Sequence, residues 1–446
     1  MKLRHNLILG VAAVAICGSA YAQDAASTSG SNNDYGDIVV TANKREENLN
    51  KVGLTITAIS GDALAERKIT SLSDIAAVVP GLAFAPSNTG TPILTLRGVG
   101  FNESSLGVYP AVSVYIDQTP LAFPALASHS AYDLQRIEAL KGPQGTLFGQ
   151  NSPGGAINYV AARPTETFEA GGDVSFGRFN QIEGNAYISG PLADGVRGRI
   201  AVNGLNSDDW QRSVTRRDTN GGQSYVAGRL LLDVDASDAL KLQFSANAWR
   251  DKSQPQAQQL VGIRVQNWSP EREVLHDFYR SPVWSAGGPR VADWSVLTRD
   301  PGTVTSNDTG NAGQMNEDGS FNPNASQNWG STNLDAYNNS RMVQAALRAD
   351  WELGGGITLT SQTSYADYKR NQALDGDGMV QVTYDLEKNY GSIKTFNQEF
   401  RLANESTNAL RWVLGANYEK STTFEDQGLR YFDNTSHDSS LFYINY

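Results

Sequence analysis

The sequence predicts a mixed α/β domain followed by antiparallel transmembrane β-barrel strands, and three observations lead to this fold class. An apolar segment with a basic start opens the chain, as in exported proteins. Residues 46–163 combine short strands, short helices and glycine-rich turns. After Pro164, apolar and polar residues alternate with a period of two, which is typical of strands with one apolar and one polar face.

Residues 1–22 have the pattern of a secretory signal peptide. A basic start precedes the apolar run Leu7–Cys17, and the small residues at 20 and 22 suit cleavage after Ala22. The run is shorter than the roughly 20 residues that a membrane helix needs. Because cleavage would remove Cys17, the one cysteine of the sequence, we expect no disulfide and no thiolate metal site in the mature chain.

Composition and charge exclude several function classes. The net charge of −11 argues against nucleic-acid binding, because that function requires a basic surface. The histidines after the signal peptide, His129, His276 and His437, are far apart in sequence, and none has a second ligand at metal-binding spacing. We therefore expect no enzyme, no metal site and no cofactor.

Residues 23–45 are expected to form a flexible linker that contains one β-prone segment. Residues 23–36 are small and polar and cannot bury enough surface to fold. The β-prone segment consists of Asp37, Ile38, Val39, Val40, Thr41 and Ala42. It could add a strand to another protein's sheet through main-chain hydrogen bonds, or it could be the first strand of the domain that follows. The residue types leave both alternatives open.

Residues 46–163 contain signals for two helices and several strands. One helix is expected over residues 61–67 with Asp62 as its N-cap, and a second over 73–79, ended by Pro80. Strands are expected near residues 56–59, 94–98, 112–117 and 137–141. This order of elements predicts a compact mixed domain.

A glycine-rich stretch follows the last of these strands. Glycine permits positive φ and close approach of the backbone. A phosphate-binding loop is excluded, because the stretch lacks the Gly-Lys-Ser/Thr ending of that motif. The candidate motif residues in this part of the chain are Gly98, Glu138, Gly142, Pro143, Gly145, Gly149, Gly154 and Gly155.

Three motifs resemble those of TonB-dependent outer-membrane receptors, and of siderophore receptors in particular. The segment 37–42 resembles the TonB box, the binding sequence for the energising protein TonB. Residues 96–98, Leu-Arg-Gly, and 141–149, Lys-Gly-Pro-Gln-Gly-Thr-Leu-Phe-Gly, resemble motifs of the plug domain. The resemblance implies a plug domain over residues 46–163, in which Glu138 has a local partner.

The resemblance also implies an ionic lock between plug and barrel. In the family, basic residues at the two plug motifs are held by carboxylates on the barrel wall, and Arg97 and Lys141 occupy those positions. Lysine keeps the charge but lacks the bidentate fork of arginine. Glu399 is the candidate carboxylate, because its alternation with Phe400 points it inward. An ordinary surface charge at Lys141 and a solvated lumen charge at Glu399 are the alternatives.

Residues 164–446 are predicted to supply the N-terminal part of the barrel, with about nine strands. They are expected near residues 167–177, 180–190, 196–206, 223–235, 239–250, 340–353, 356–368, 391–403 and 409–420. A barrel that holds a plug of this size has about 22 strands. We therefore expect an incomplete barrel, and a chain that is a fragment or a truncated product.

The long connection over residues 251–339 is expected on the extracellular side. Its candidate recognition residues are Trp268, Trp284, Trp294 and Trp329. Loop aromatic residues can recognise a ligand. They can equally lie at the membrane interface or form small local cores, and the sequence leaves these roles open.

The function implied by the resemblance is energy-coupled uptake of a scarce ligand, most often an iron–siderophore complex, across the outer membrane of a Gram-negative cell. The implied partners are TonB with its inner-membrane energising complex, the outer-membrane barrel assembly machinery and the small-molecule ligand. A passive porin or surface β-protein, and a truncated receptor fragment without function, are the alternatives.

Overall fold

The computed structural model describes residues 39–431, with gaps at 213–218, 257–335 and 377–383. Further gaps are at positions 42, 46, 70, 88, 104, 150, 151, 406, 407 and 409. The expected signal peptide, the linker up to Ile38 and the four candidate tryptophans of the long connection lie outside the described residues. Where the structure describes the chain, it contains no helix long and apolar enough to cross a membrane.

The first region, residues 39–161, is called the plug here. Its elements are β1 (Val39–Val40), β2 (Glu47–Asn48), β3 (Thr55–Ser60), α1 (Gly61–Glu66), α2 (Leu72–Val78), β4 (Leu82–Pro86), β5 (Pro92–Leu96), β6 (Val99–Gly100), β7 (Val112–Ile116), β8 (Thr119–Leu121), β9 (Leu134–Lys141), α3 (Gly145–Phe148) and β10 (Gly155–Ala161). Short 3-10 helices lie at Leu49–Lys51 and Pro124–Ala127. The central sheet has the order β3-β9-β10-β7-β8, in which β10 is parallel to β7 and antiparallel to β9. A smaller sheet has the order β4-β5-β6.

Apolar burial and helix caps explain the plug elements. Strands β7 and β10 are buried along their whole length, and burial of each large apolar side chain stabilises the fold by about 2 kcal/mol. Ser71 and Asp74 form a reciprocal capping box at the start of α2. The expected N-cap of α1 is wrong. Ser60 is the N-cap, and Asp62 lies in the first turn, where its charge favours the helix dipole.

The second region is an antiparallel sheet that is called the wall here. Its elements are β11 (Glu169–Phe176), β12 (Ile182–Ala193), β13 (Val196–Asn206), β14 (Gln211–Arg212), β15 (Thr219–Asn220), β16 (Ser224–Ser237), β17 (Leu240–Asp251), β18 (Tyr337–Asn338), β19 (Ser340–Gly354), β20 (Ile357–Asp375), β21 (Tyr384–Asn404) and β22 (Val413–Tyr431). Nine strands pair in the order β11-β12-β13-β16-β17-β19-β20-β21-β22, and β18 adds to β20. The nine predicted strands are confirmed. In the described pairings β11 and β22 do not join each other, so the barrel is not closed.

The wall reverses the distribution of side chains seen in the plug. Large apolar side chains are exposed, and Phe176 and Leu414 are 79% and 68% exposed. Polar side chains are buried where they meet the plug: Gln362, for example, donates to the Asp117 carbonyl oxygen at 3.1 Å. An apolar outer face and a polar inner face are the arrangement that an outer-membrane barrel requires.

Candidate functional site: the N-terminal segment and the contact between plug and wall

The described part of the expected TonB box is folded into the plug. Val39 and Val40 form β1, which pairs with Asn48 and Glu47 of β2. The Val40 side chain is fully buried. It belongs to a buried apolar cluster whose other members are Tyr115, Leu140, Phe148 and Ala156. In this structure the segment is thus a strand of the plug itself. Asp37, Ile38 and Ala42 lie outside the described residues.

Thr41 connects this segment to a buried carboxylate. Its backbone N–H donates to Glu138 Oε1 at 2.9 Å and its hydroxyl donates to Oε2 at 2.8 Å. Asn158 Nδ2 donates to Thr41 Oγ1 at 3.1 Å, and Arg136 Nε donates to Glu138 Oε1 at 2.8 Å. Because Glu138 is fully buried, these donors must replace the water that its charge would otherwise bind. Removing Thr41 from its place therefore leaves Glu138 short of two donors.

Lys44 links the same segment to the wall. Its Nζ lies 3.1 Å from Glu399 Oε2, and Arg401 Nη1 lies 2.9 Å from the other oxygen of that carboxylate. The ammonium also lies 4.7 Å from the centroid of the Phe148 ring, within range of a cation–π contact. Burial lowers the pKa of Lys44 to about 8, although the Glu399 charge opposes this shift. Glu399 and Phe148 therefore favour the charged form of Lys44 in a site that otherwise disfavours it.

The structure does not bring Arg97 or Lys141 to Glu399. Arg97 and Gly98 form the two-residue turn between β5 and β6, with φ of 52° and 80°, as in a type I′ hairpin, and Arg97 is exposed. Within the described parts of the chain, neither Arg97 nor Lys141 lies within ion-pair distance of a carboxylate. Burial, together with the nearby Arg97 charge, lowers the pKa of Lys141. The expected partners of Glu399 are thus corrected: Lys44 is the plug cation beside it.

The glycine-rich stretch shapes the end of the central sheet. Gly142 N–H donates to the Gly154 carbonyl oxygen at 3.1 Å, and Gly149, with φ of 71°, ends α3. Gly155 has φ of 142°, and a Cβ there would lie 2.2 Å from the Leu140 carbonyl oxygen. This position therefore requires glycine, because a side chain would collide with the neighbouring strand. The motif serves the folding of the plug.

A further group of buried polar contacts joins the plug to β20 and β22. The Arg370 side chain is fully buried, and its Nη1 donates to Thr91 Oγ1 at 3.3 Å while Nη2 donates to Glu425 Oε1. Glu425 Oε2 accepts from Ser105 Oγ of the plug at 2.8 Å. The sequence did not identify Arg370, because the strand was expected to end at residue 368. Extending the alternation by one more inward position would have found it.

Comparison with known proteins identifies the first region. Residues 48–156 match the family model of the TonB-dependent receptor plug domain. The chain is 29% identical over 216 residues to the pesticin receptor of Yersinia pestis, covering 47% of this chain and 31% of that protein. It is 26% identical over 179 residues to the catecholate siderophore receptor Fiu of Escherichia coli, covering 39% and 22%. The matches thus span a third or less of these curated relatives.

Solved structures share the fold across both regions. The ferric yersiniabactin uptake receptor of Yersinia pestis superposes with a TM-score of 0.58 at 20% identity, covering 84% of this chain and 50% of that one. The ferripyoverdine receptor of Pseudomonas aeruginosa gives a TM-score of 0.59 at 15% identity, covering 90% and 47%. This chain therefore corresponds to about half the length of either structure.

The fold and the matched residues define a class of protein. Residues 48–156 match a TonB-dependent receptor plug domain, and an antiparallel sheet of barrel-like strands follows them. More particularly, the chain is like the TonB-dependent siderophore receptors, since its relatives are siderophore and pesticin receptors. The matched family is one of receptors and not of enzymes.

Proposed function

We propose that the complete receptor takes up a scarce extracellular ligand across the outer membrane in a TonB-dependent cycle. One observation carries this proposal: a single short segment binds both the plug, through Thr41 and Glu138, and the wall, through Lys44 and Glu399. A pull on this segment acts on both contacts at once. Once released, the segment can pair with TonB by strand addition.

The ligand class rests on the relatives. These include a receptor of Escherichia coli named for catecholate siderophores and receptors of Pseudomonas named for ferric pyoverdine. An iron–siderophore complex is therefore the proposed ligand here. The apolar outer face of the wall supports a location in the outer membrane, with strand insertion by the barrel assembly machinery.

Uptake of radioactive iron tests this function. The complete receptor is returned to a source strain that lacks it, with and without TonB, and the probe is radioactive iron bound by the chelators in iron-starved culture supernatant. Uptake is expected to need both the receptor and TonB. Uptake that continues without TonB would contradict energy coupling and favour a passive porin.

A matched pair of variants tests the segment itself. Val40→Pro removes a main-chain donor that strand addition uses, so uptake should be lost while the receptor level at the cell surface stays the same. Val39→Thr keeps both the main-chain N–H and the β-branched shape at a position that is 42% exposed, so uptake should remain. Equal uptake by both variants would contradict capture through this strand.

A further inference from the structure

Two cavities lie between the plug and the wall, and strands β13, β16 and β17 line both of them. A cavity of about 820 Å³ is lined by the plug loop around His129 and by Tyr225 of β16 and Asp251 of β17. A second cavity of about 520 Å³ is lined by Arg136 of the plug and by residues 233–235 of β16 and 241–243 of β17. We call them the outer and the inner cavity, because the first lies at the strand ends with long connections.

The strands pass from one cavity to the other through a narrow layer of polar residues. On β16, Arg229 lies four residues from Tyr225 of the outer cavity and four from Asp233 of the inner cavity, roughly 13 Å in each direction. On β17, Asn247 lies midway between Asp251 and Gln243 in the same way. The cavities are thus aligned along one side of the plug.

Residues 128–133 of the plug, which we call the gate segment, fill this layer. Arg229 is 3% exposed, and its Nη1 donates to the carbonyl oxygens of Tyr132 and Asp133 at 2.8 and 3.1 Å. Its Nη2 donates to the Ser130 carbonyl oxygen at 3.1 Å, and its Nε donates to Asn247 Oδ1 at 2.7 Å. One buried guanidinium thus binds the backbone of the gate segment at three points.

A second arginine and backbone strain define the ends of the gate segment. Arg199 of β13 forms a bidentate pair with the Asp133 carboxylate, and its guanidinium lies 3.9 Å from the centroid of the Tyr187 ring. His129 and Asp133 have φ of 53° and 50°, a left-handed conformation that costs a residue with a side chain roughly 1 kcal/mol. The wall contacts therefore hold a segment that is strained at both ends.

We propose that the gate segment closes a passage between the two cavities, and that a hydrophilic solute crosses the receptor along β13, β16 and β17. The proposal rests on the proposed uptake function and adds the side of the plug on which transport takes place. Arg199 and Arg229 are positioning residues that hold the gate segment against the wall. Since β9 begins at Leu134, the gate segment can move while the central sheet stays folded.

Leakage of vancomycin tests the gate without energy coupling. The complete receptor is expressed in a bacterium that lacks TonB, so the result does not depend on the proposed uptake cycle. Combined Arg199→Gln and Arg229→Gln should lower the inhibitory concentration several-fold. Arg348→Gln, which removes an arginine paired with Asp350 on its own strand, should stay at the wild-type value. Arg370→Gln loosens the other contact zone and should lower the inhibitory concentration much less than the double variant does.

The outcomes of this leakage test separate clearly. A double variant that leaks no more than Arg348→Gln would overturn the gate. If Arg370→Gln leaks as much as the double variant, the gate does not lie on this side of the plug. Heat-modifiable migration in gels compares the folding of all variants.

A reversible bridge tests the gate in a receptor that keeps both arginines. His129 Nε2 lies 2.9 Å from Asp251 Oδ2, so His129→Cys with Asp251→Cys can be joined by a short reducible linker. The matched pair is Ser105→Cys with Glu425→Cys, whose side chains meet at 2.8 Å in the other contact zone. Residues 39–431 contain no native cysteine to interfere.

The readout of the bridge is uptake of the same radioactive-iron supernatant. The bridge at 129 and 251 should stop uptake, and reduction should restore it, whereas the bridge at 105 and 425 should leave uptake in place. Continued uptake with the gate bridged, or equal loss with the control bridged, would overturn the proposal. Failure of the proposed function is distinct, because it appears as TonB-independent uptake in the unbridged receptor.

Discussion

The plug core and the contact between plug and wall are built from different kinds of side chain. The core buries apolar residues such as Leu140 and Ile157, whereas the contact buries arginines such as Arg229 and Arg370. Separating an apolar contact exposes its whole surface to water. A hydrogen-bonded contact exchanges its partners for water, so each bond stabilises by only about 1 kcal/mol. This difference suits a plug that stays folded while its contact with the wall opens.

The largest effect is expected in the core, from Gly155→Ala. The new Cβ would lie 2.2 Å from the Leu140 carbonyl oxygen and 2.7 Å from Leu96, at a φ of 142°. Because the Leu140 carbonyl oxygen cannot yield without moving strand β9, we expect the plug to lose about 4 kcal/mol of stability or more. Hydrogen exchange of β9 and β10 in the purified complete receptor measures this loss.

Gly53→Ala is the matched control for this change. No atom lies within 4 Å of a Cβ at Gly53, so exchange in the central sheet should match that of the wild type. Wild-type protection in Gly155→Ala as well would show that the sheet tolerates the collision, and the description of the core as rigid would then be wrong.

A smaller effect is expected at the contact, from Arg370→Met. The variant removes the donors to Thr91 and Glu425 and leaves the Glu425 carboxylate without its cation. We expect a loss of about 3 kcal/mol, because one partner of a buried ion pair is removed. Trypsin cleavage of the plug at increasing urea concentration measures this loss, and the contact should open at a urea concentration at which the core is still intact.

Lys388→Met provides the control on the neighbouring strand. Lys388 also forms an ion pair, with Asp426, but its side chain is 57% exposed. An exposed pair stabilises by less than about 1 kcal/mol, so the cleavage profile should stay near that of the wild type. Equal profiles for Arg370→Met and Lys388→Met would contradict the importance of burial at this contact.

The sequence predicted the wall better than it predicted the contact. Period-two alternation depends on neighbours along the strand, so all nine strands could be located. Their ends could not, since β20 extends to Asp375 and β21 begins at Tyr384, where the two strands pair with each other. The end of a strand depends on hydrogen bonds to the neighbouring strand. The alternation of apolar and polar residues along one strand carries no information about those bonds.

The partner of Glu399 shows a second limit of the same kind. The inward position of Glu399 followed from alternation, but its plug partner depends on tertiary contacts between residues more than 300 positions apart. The positive φ at Arg97 is part of a hairpin turn, and the Arg97 side chain is exposed. The actual partner of Glu399 is Lys44. The only feature of Lys44 visible in the sequence is its position next to the expected TonB box.

The smallest effect is expected at Lys44, where the two regions meet. Its ammonium lies against Phe148 of the core and forms an ion pair with Glu399 of the wall. Because the pKa is about 8 in place and 10.5 when the segment is released, the released state binds more protons between these values. Raising the pH from 7.5 to 9.5 should therefore favour the folded segment, by about 2 kcal/mol.

A spin label at position 39 can follow this equilibrium, since Val39 is 42% exposed. The mobile fraction of the label in the complete receptor should fall as the pH rises from 7.5 to 9.5, a range that covers the lower part of the interval between the two pKa values. Lys44→Met removes the titrating group and should abolish the dependence, whereas Lys388→Met, with its exposed ammonium, should preserve it. A mobile fraction that rises with pH would mean that the ion pair with Glu399 outweighs the burial of the amine. The segment would then be held by charge at the wall and not by packing in the core.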